Sequence, residues 1–200
     1  MLLGNHDIHY FDLFRNNYRV RFCYRIADEY QKLLSDNYDK FKIAEELRLN
    51  EKTILFTHAG VTNYWLECMR DEQPCRPFKK QKLSDYFPEL IRKDIMPTAE
   101  SLNTLLKDEY GLIALWMASE NRGGIYNCGS PIWAHITEHF DRCINENIYQ
   151  IFAHTLFYPE EFEPWITEKF AMIDSQEGYV LEFNTETDFF KLSRMKDYKK

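Results

Sequence analysis

The stretch Leu2-Leu3-Gly4-Asn5-His6-Asp7 decides how this chain is read. Its two Leu residues predict a short apolar strand end. Gly4 breaks the strand, because glycine takes backbone angles closed to other residues and suits a sharp exit. An amide, an imidazole and a carboxylate then follow in a row, able to point into one cavity. Two later stretches repeat the arrangement. Thr57-His58-Ala59-Gly60 follows the β-prone run Thr53-Ile54-Leu55-Phe56, and Ala153-His154-Thr155 follows Ile148-Tyr149-Gln150-Ile151-Phe152. Three strand ends, each delivering a metal-capable side chain, build a metal site on the rim of a sheet.

Taken in order, these motifs resemble those of the calcineurin-like metallophosphoesterases, and most closely the bacterial branch of phosphoprotein phosphatases and diadenosine tetraphosphatases. That family runs D-x-H, then G-D-x-x-D, then G-N-H-D or G-N-H-E, then a His before Ala-Gly or Gly-Gly, then G-H-T or A-H. The last three are present here in that order. The first two have no counterpart, since the chain starts at Met1, three residues before the third motif. The resemblance covers nearly all of the chain. It implies a mixed α/β (α+β) fold, an incomplete four-layer αββα sandwich, with residues 1–200 as the C-terminal part of one truncated domain. Residues 61–110, which carry no family motif, are expected to form a helical cap insertion that selects substrate.

The resemblance also assigns roles. Asn5, His58 and His154 match the amide and the two imidazole ligands of the family's second metal. His6 matches the residue that protonates the leaving oxygen, a role suited to a side chain titrating near neutrality. Asp7 is expected to support the loop rather than bind metal. Arg122, in Glu120-Asn121-Arg122-Gly123, resembles an arginine that grips substrate phosphate with its forked guanidinium. The implied cofactors are divalent ions, Mn, Fe, Zn or Ni, dinuclear in the complete family. Here the carboxylate ligands have no counterpart, so at most one cation, weakly held, is expected per chain, and the chain by itself is expected to be inactive or weakly active. With two nitrogens and one oxygen as donors, Zn²⁺ or Ni²⁺ should be held better than Mn²⁺.

The implied activity is hydrolysis of phosphate monoesters, in the manner of a Ser/Thr phosphoprotein phosphatase. Dinucleoside polyphosphates are the second substrate class. A non-catalytic remnant acting through a partner surface is the alternative of a different kind. The implied partner is a phosphorylated substrate.

Bulk properties narrow the classes. Two hundred residues suit one domain. The net charge of −7, with 25 basic and 32 acidic residues, lacks the basic excess of a duplex binder, so nucleic acid is not an expected partner. No apolar run approaches the roughly 18 residues that a membrane span needs. Five cysteines, odd in number and without C-x-x-C spacing, argue against a disulfide framework and a zinc knuckle, and predict free thiols in a cytoplasmic setting.

Periodicity predicts helices over Tyr24–Leu34, Asp39–Leu49, Val61–Met69 and Pro97–Tyr110, and a loop over 71–77. It predicts strands ending at His58 and His154, a strand pair turning at Ser175–Gly178, and a last strand at Thr187–Leu192. Ser119–Gly124 reads as a flexible polar loop. His135-Ile136-Thr137-Glu138-His139 fits H-x-x-E-H, a zinc peptidase signature that needs two His on one helical face. The flanking Trp133 and Phe140 favour an ordinary amphipathic helix there.

Overall fold

A computed structural model of the chain describes residues 1–14, 22–70, 97–140, 147–155, 165–174, 178–184, 186–187 and 189–195. The fold is mixed α/β, built on a five-stranded mixed sheet. Its strands are β1 (Ala44–Leu49), β2 (Lys52–Thr57), β3 (Ile148–Phe152), β4 (Trp165–Ile166) and β5 (Phe170–Met172), in the order β1-β2-β3-β5-β4. β2 and β3 run parallel, with Phe56 opposite Ile151, so both deliver their C-terminal ends to the same rim. β3 also runs parallel to β5, while β1 and β4 are antiparallel to their neighbours. Every residue of β3 is buried, as suits a central strand.

The two faces of this sheet are covered differently. Leu55 and Ile148 join a large apolar cluster with Trp65, Leu66, Met69, Leu102 and Leu115. These last residues come from α2 (Asn63–Met69), α3 (Ala99–Asn103) and α4 (Glu109–Leu115); α1 (Ala27–Asp36) adds Leu34. Ile54, Tyr149, Ile151 and Ala171 face the other way, and Leu181, Phe183 and Phe190 pack on them. The latter belong to an antiparallel hairpin of β6 (Tyr179–Asn184) and β7 (Phe189–Arg194), whose Phe190 ring stacks on Tyr149 at 4.0 Å. The period-two alternation of Ile54 and Leu55 therefore separates helices from hairpin. A short helix α5 (Thr137–Phe140) follows Ile136, which packs with Phe152, Phe170 and Met172.

Residues 61–70 and 97–110 lie in the crossover between β2 and β3 and contribute Val61, Trp65, Leu102 and Leu105 to the main core. The loop expected over 71–77 lies outside the described residues. No helix among the described residues is long and apolar enough to cross a membrane.

Four expectations need correction. The helix predicted over Asp39–Leu49 is a short 3-10 turn at Tyr38–Lys40 followed by strand β1. Ala, Glu, Leu and Arg all favour helix. Six antiparallel pairs with β2 override that preference, and the Asn103 amide adds to them by bonding Ile43 N–H at 2.7 Å and the Ala44 carbonyl at 3.0 Å. The helix predicted over Pro97–Tyr110 is broken. Asp108 is extended, and its carboxylate accepts from Gly111 N–H at 3.0 Å, capping α4 as a new helix. The strands on either side of 175–178 do not pair with each other: β5 belongs to the large sheet and β6 to the hairpin. The segment Ser119–Gly124 is a closed turn rather than a loose loop, held by Arg122 N–H to Ser119 and Gly124 N–H to Ser119 carbonyl bonds, both 2.9 Å.

Candidate metal centre

The first of the three loops leaves a single parallel bridge between Leu2 and Lys42, where Leu3 N–H donates to Lys42 carbonyl at 2.8 Å. The chain then turns at Asn5-His6-Asp7. Asp7 fixes that turn with both oxygens. Oδ2 accepts from Gly4 N–H at 2.8 Å, and Oδ1 accepts from the Tyr30 hydroxyl of α1 at 2.6 Å. Burial and the Asp7 carboxylate raise the Tyr30 hydroxyl above its ordinary range, so it remains a donor. Asp7 is thereby committed to the loop. Gly4 lies against the second loop: a Cβ there would sit 3.0 Å from His58 Cε1 and 3.1 Å from its Nδ1.

The second loop leaves β2 at Thr57. Gln150, buried in the middle of β3, holds it: Oε1 accepts from Val61 N–H at 2.7 Å and Nε2 donates to Val61 carbonyl at 3.0 Å. The third loop leaves β3 and is tied to the second by Ala153 N–H donating to His58 carbonyl at 2.9 Å. His154 follows in the left-handed region, with φ of 74°.

These anchors bring three donor atoms together. His58 Nε2 lies 3.0 Å from Asn5 Oδ1 and 3.1 Å from His154 Nδ1. Burial drives the His58 imidazole down to a pKa of about 4; the Asp7 carboxylate opposes this, while His6 and Arg122 add to it. His154 falls to about 2, from burial first and then from the charges of Arg122, His58, His6 and His135. Both rings are therefore neutral at pH 7, the form that ligates metal. His154 Nε2 is buried with no hydrogen-bond partner among the described residues.

Arg122 reaches the third loop from its turn. Its Nη2 donates to His154 carbonyl at 3.0 Å and to the Thr155 hydroxyl, while its buried Nε has no partner among the described residues. Burial lowers its pKa, and the Glu138 and Asp174 carboxylates oppose the shift. His6 is exposed beside the cluster, close enough for its charge to act on both imidazoles.

The donor set can be tested against a metal. Donors at right angles about a centre roughly 2.1 Å away are about 3.0 Å apart. The two separations around His58 Nε2 match that edge, and two imidazoles with one amide oxygen suit a late first-row cation. The residues fit one cation shell in part. Among the described residues, no group of three or more His, Cys, Asp or Glu side chains is placed to hold a metal.

The H-x-x-E-H segment is occupied otherwise. Glu138 accepts from Gly129 N–H and His135 N–H, both at 2.8 Å. His135 Nδ1 bonds the Thr137 hydroxyl at 2.8 Å, and buried His139 bonds Ala59 carbonyl through Nε2 at 3.0 Å. The two imidazoles serve different parts of the fold. Sequence reasoning missed Tyr30, Gln150 and His139 as supports of the site. Gln150 alone carried a signal, as the one polar side chain inside a β-prone apolar run. No family model matches the chain, and no curated protein matches its sequence.

Proposed function

We propose that this chain carries part of the catalytic centre of a metal-dependent phosphoesterase acting on phosphate monoesters, as its motifs imply by resemblance. The observation that carries the reading is the convergence of Asn5 Oδ1, His58 Nε2 and His154 Nδ1 from three separate loops, with Arg122 bound to the same third loop. In this reading Asn5, His58 and His154 hold a divalent cation, which when bound supplies Lewis-acid polarisation of a phosphoryl oxygen. Arg122 contributes a fixed positive charge to which phosphate oxygens are drawn. His6, exposed at the rim, holds a proton for the departing alkoxide. Asp7, Tyr30 and Gln150 orient the loops and touch no substrate.

The same reading takes the five-stranded sheet and the β6–β7 hairpin as parts of a four-layer αββα sandwich, which the stacking of Phe190 on Tyr149 supports. It places the protein in the cytoplasm, in keeping with Cys23, Cys68 and Cys128 standing outside any disulfide.

Titration calorimetry with Zn²⁺ and Mn²⁺, paired with p-nitrophenyl phosphate hydrolysis, tests the proposal. The expected result is one cation per chain, Zn²⁺ the tighter, lost in a His58→Ala, His154→Ala double variant, with at most weak turnover that depends on the same residues. Metal binding untouched by the double substitution would refute the site. Turnover that survives the double substitution while the metal is lost would refute the catalytic reading and leave the metal centre standing.

A further inference from the structure

Away from the three loops, two thiols meet in the core. Cys68 lies on α2 and Cys128 in the segment leading to Ser130, and their Sγ atoms are 3.4 Å apart. They are 3% and 1% exposed, and neither is in a disulfide. Their backbones are independently anchored. Thr62 caps α2 by accepting from Trp65 N–H at 3.2 Å. On the other side, Gly129 N–H donates to Glu138 at 2.8 Å, Ser130 N–H to Met117 carbonyl at 2.8 Å, and the Ser130 hydroxyl to Leu115 carbonyl at 2.6 Å. The Asn127 amide also reaches the Tyr64 hydroxyl, one turn before Cys68 on α2, at 3.4 Å. The contact between the thiols is therefore imposed by two fixed segments.

We propose that Cys68 and Cys128 form a two-electron oxidation site for hydrogen peroxide, closing to a disulfide. One sulfur attacks the peroxide O–O bond, giving a sulfenic acid and one water. The second thiol then attacks that sulfur, the S–O bond breaks, and the hydroxyl leaves with the thiol proton as a second water. Two thiols are oxidised, one peroxide is reduced, and two waters form. Closing from 3.4 Å to the disulfide length of about 2.05 Å asks the sulfurs to approach by about 1.4 Å. At 3% and 1% exposure the pair is shielded from bulky disulfides such as oxidised glutathione, and hydrogen peroxide is the much smaller oxidant. The bond joins the helix that follows His58 to the segment that follows Arg122. The inference stands on the thiol geometry alone and does not depend on the phosphoesterase reading.

Peptide mapping tests it directly. Trypsin releases Cys68 in residues 53–70 and Cys128 in residues 123–142, and neither peptide contains another cysteine. The reduced full chain, treated with hydrogen peroxide, then iodoacetamide, should yield these two peptides linked in most molecules. The intact mass should fall by the two hydrogens lost, and the change should reverse with dithiothreitol. The thermal midpoint should rise by on the order of 10 °C, because the link closes a long loop. Oxidised glutathione should give the link far more slowly. In urea the pairing should scatter over all five cysteines. Links confined to other cysteines, or sulfinic acid on Cys68 or Cys128 without a link, would overturn the proposal. The mapping uses the unaltered chain, so it decides the matter even if Cys68→Ala or Cys128→Ala fails to fold.

Discussion

Gly60→Ala should be among the most damaging single substitutions in the chain, and the structure allows its cost to be divided. Gly60 sits at φ of 83°, in the left-handed region. An L residue there costs about 1–2 kcal/mol. A Cβ would also lie 2.4 Å from His139 Cε1, 2.6 Å from His139 Nε2 and 3.0 Å from Phe152 Cδ1. His139 has no room to give. It is fully buried, its ring stacks on Phe152 at 4.3 Å, and Nε2 is engaged with the Ala59 carbonyl at 3.0 Å. Overpacking of this kind costs about 1–3 kcal/mol more. The sum is about 2–5 kcal/mol, or a fall in thermal midpoint on the order of 10 °C for a chain of this size.

Gly123 supplies the control. Its φ is 70°, but a Cβ there meets nothing within 4 Å. Gly123→Ala should carry only the backbone cost of about 1–2 kcal/mol. Urea unfolding followed by tryptophan fluorescence suits both variants, since Trp65, Trp116 and Trp133 are buried. The difference between the two variants isolates the clash with His139. Equal destabilisation of the two, or a Gly60→Ala cost below about 1 kcal/mol, would refute the packing argument.

Three further outcomes are expected. Gly4→Ala should press on the His58 ring and lower Zn²⁺ affinity by about tenfold while moving stability by less than about 1.5 kcal/mol; calorimetry and urea melts on one preparation would expose an unchanged affinity. Burial lowers the His139 pKa from its ordinary 6.5 to about 4; the unfolded chain binds that proton first, so this stability is complete above pH 6.5 and is lost as pH falls towards 4. The loss approaches about 3 kcal/mol, and thermal melts of the wild type and His139→Leu between pH 4 and 7 should differ in slope, equal slopes assigning acid sensitivity to other groups. His154→Gly should be more stable than His154→Ala by about 1 kcal/mol, the reverse of the usual order, because glycine adopts the left-handed backbone freely; a urea midpoint for the Ala variant at or above that of the Gly variant would contradict it.

What could be read from the sequence was local. The Gly4-Asn5-His6-Asp7 turn, the His58 loop and the His154 loop each follow directly from an apolar run and a break; the last two runs are β2 and β3, and the first makes a single bridge at Leu2. The supports of the site were not legible, because each joins residues far apart in the chain. Tyr30 meets Asp7 across 23 positions, Gln150 meets Val61 across 89, and His139 meets Ala59 across 80. β1 was misread for a related reason. Its residues favour helix locally, and only β2 and the Asn103 amide, 59 positions from Ala44, make it a strand. The break at Asp108 was missed because apolar spacing continues through it, while the decision lies with one carboxylate capping Gly111.

His154 is where the fold and the proposed chemistry meet. A histidine at φ of 74° is held in a costly conformation, on the order of 1–3 kcal/mol, that persists only when its surroundings over-determine it. Here the carbonyl and one ring nitrogen of the residue are engaged by other members of the candidate site. The peptide before it is fixed by the bond from Ala153 N–H to His58 carbonyl, at 2.9 Å. Its own carbonyl is held by Arg122 at 3.0 Å. Its ring meets His58 Nε2 through Nδ1 at 3.1 Å, while Nε2 is buried without a partner among the described residues. The strain is accepted where it carries an imidazole from the rim of β3 to the loop of β2, and where Arg122, resting on the strained carbonyl, is fixed to the same point. Metal affinity and the position of Arg122 should therefore change together when this one backbone turn is altered.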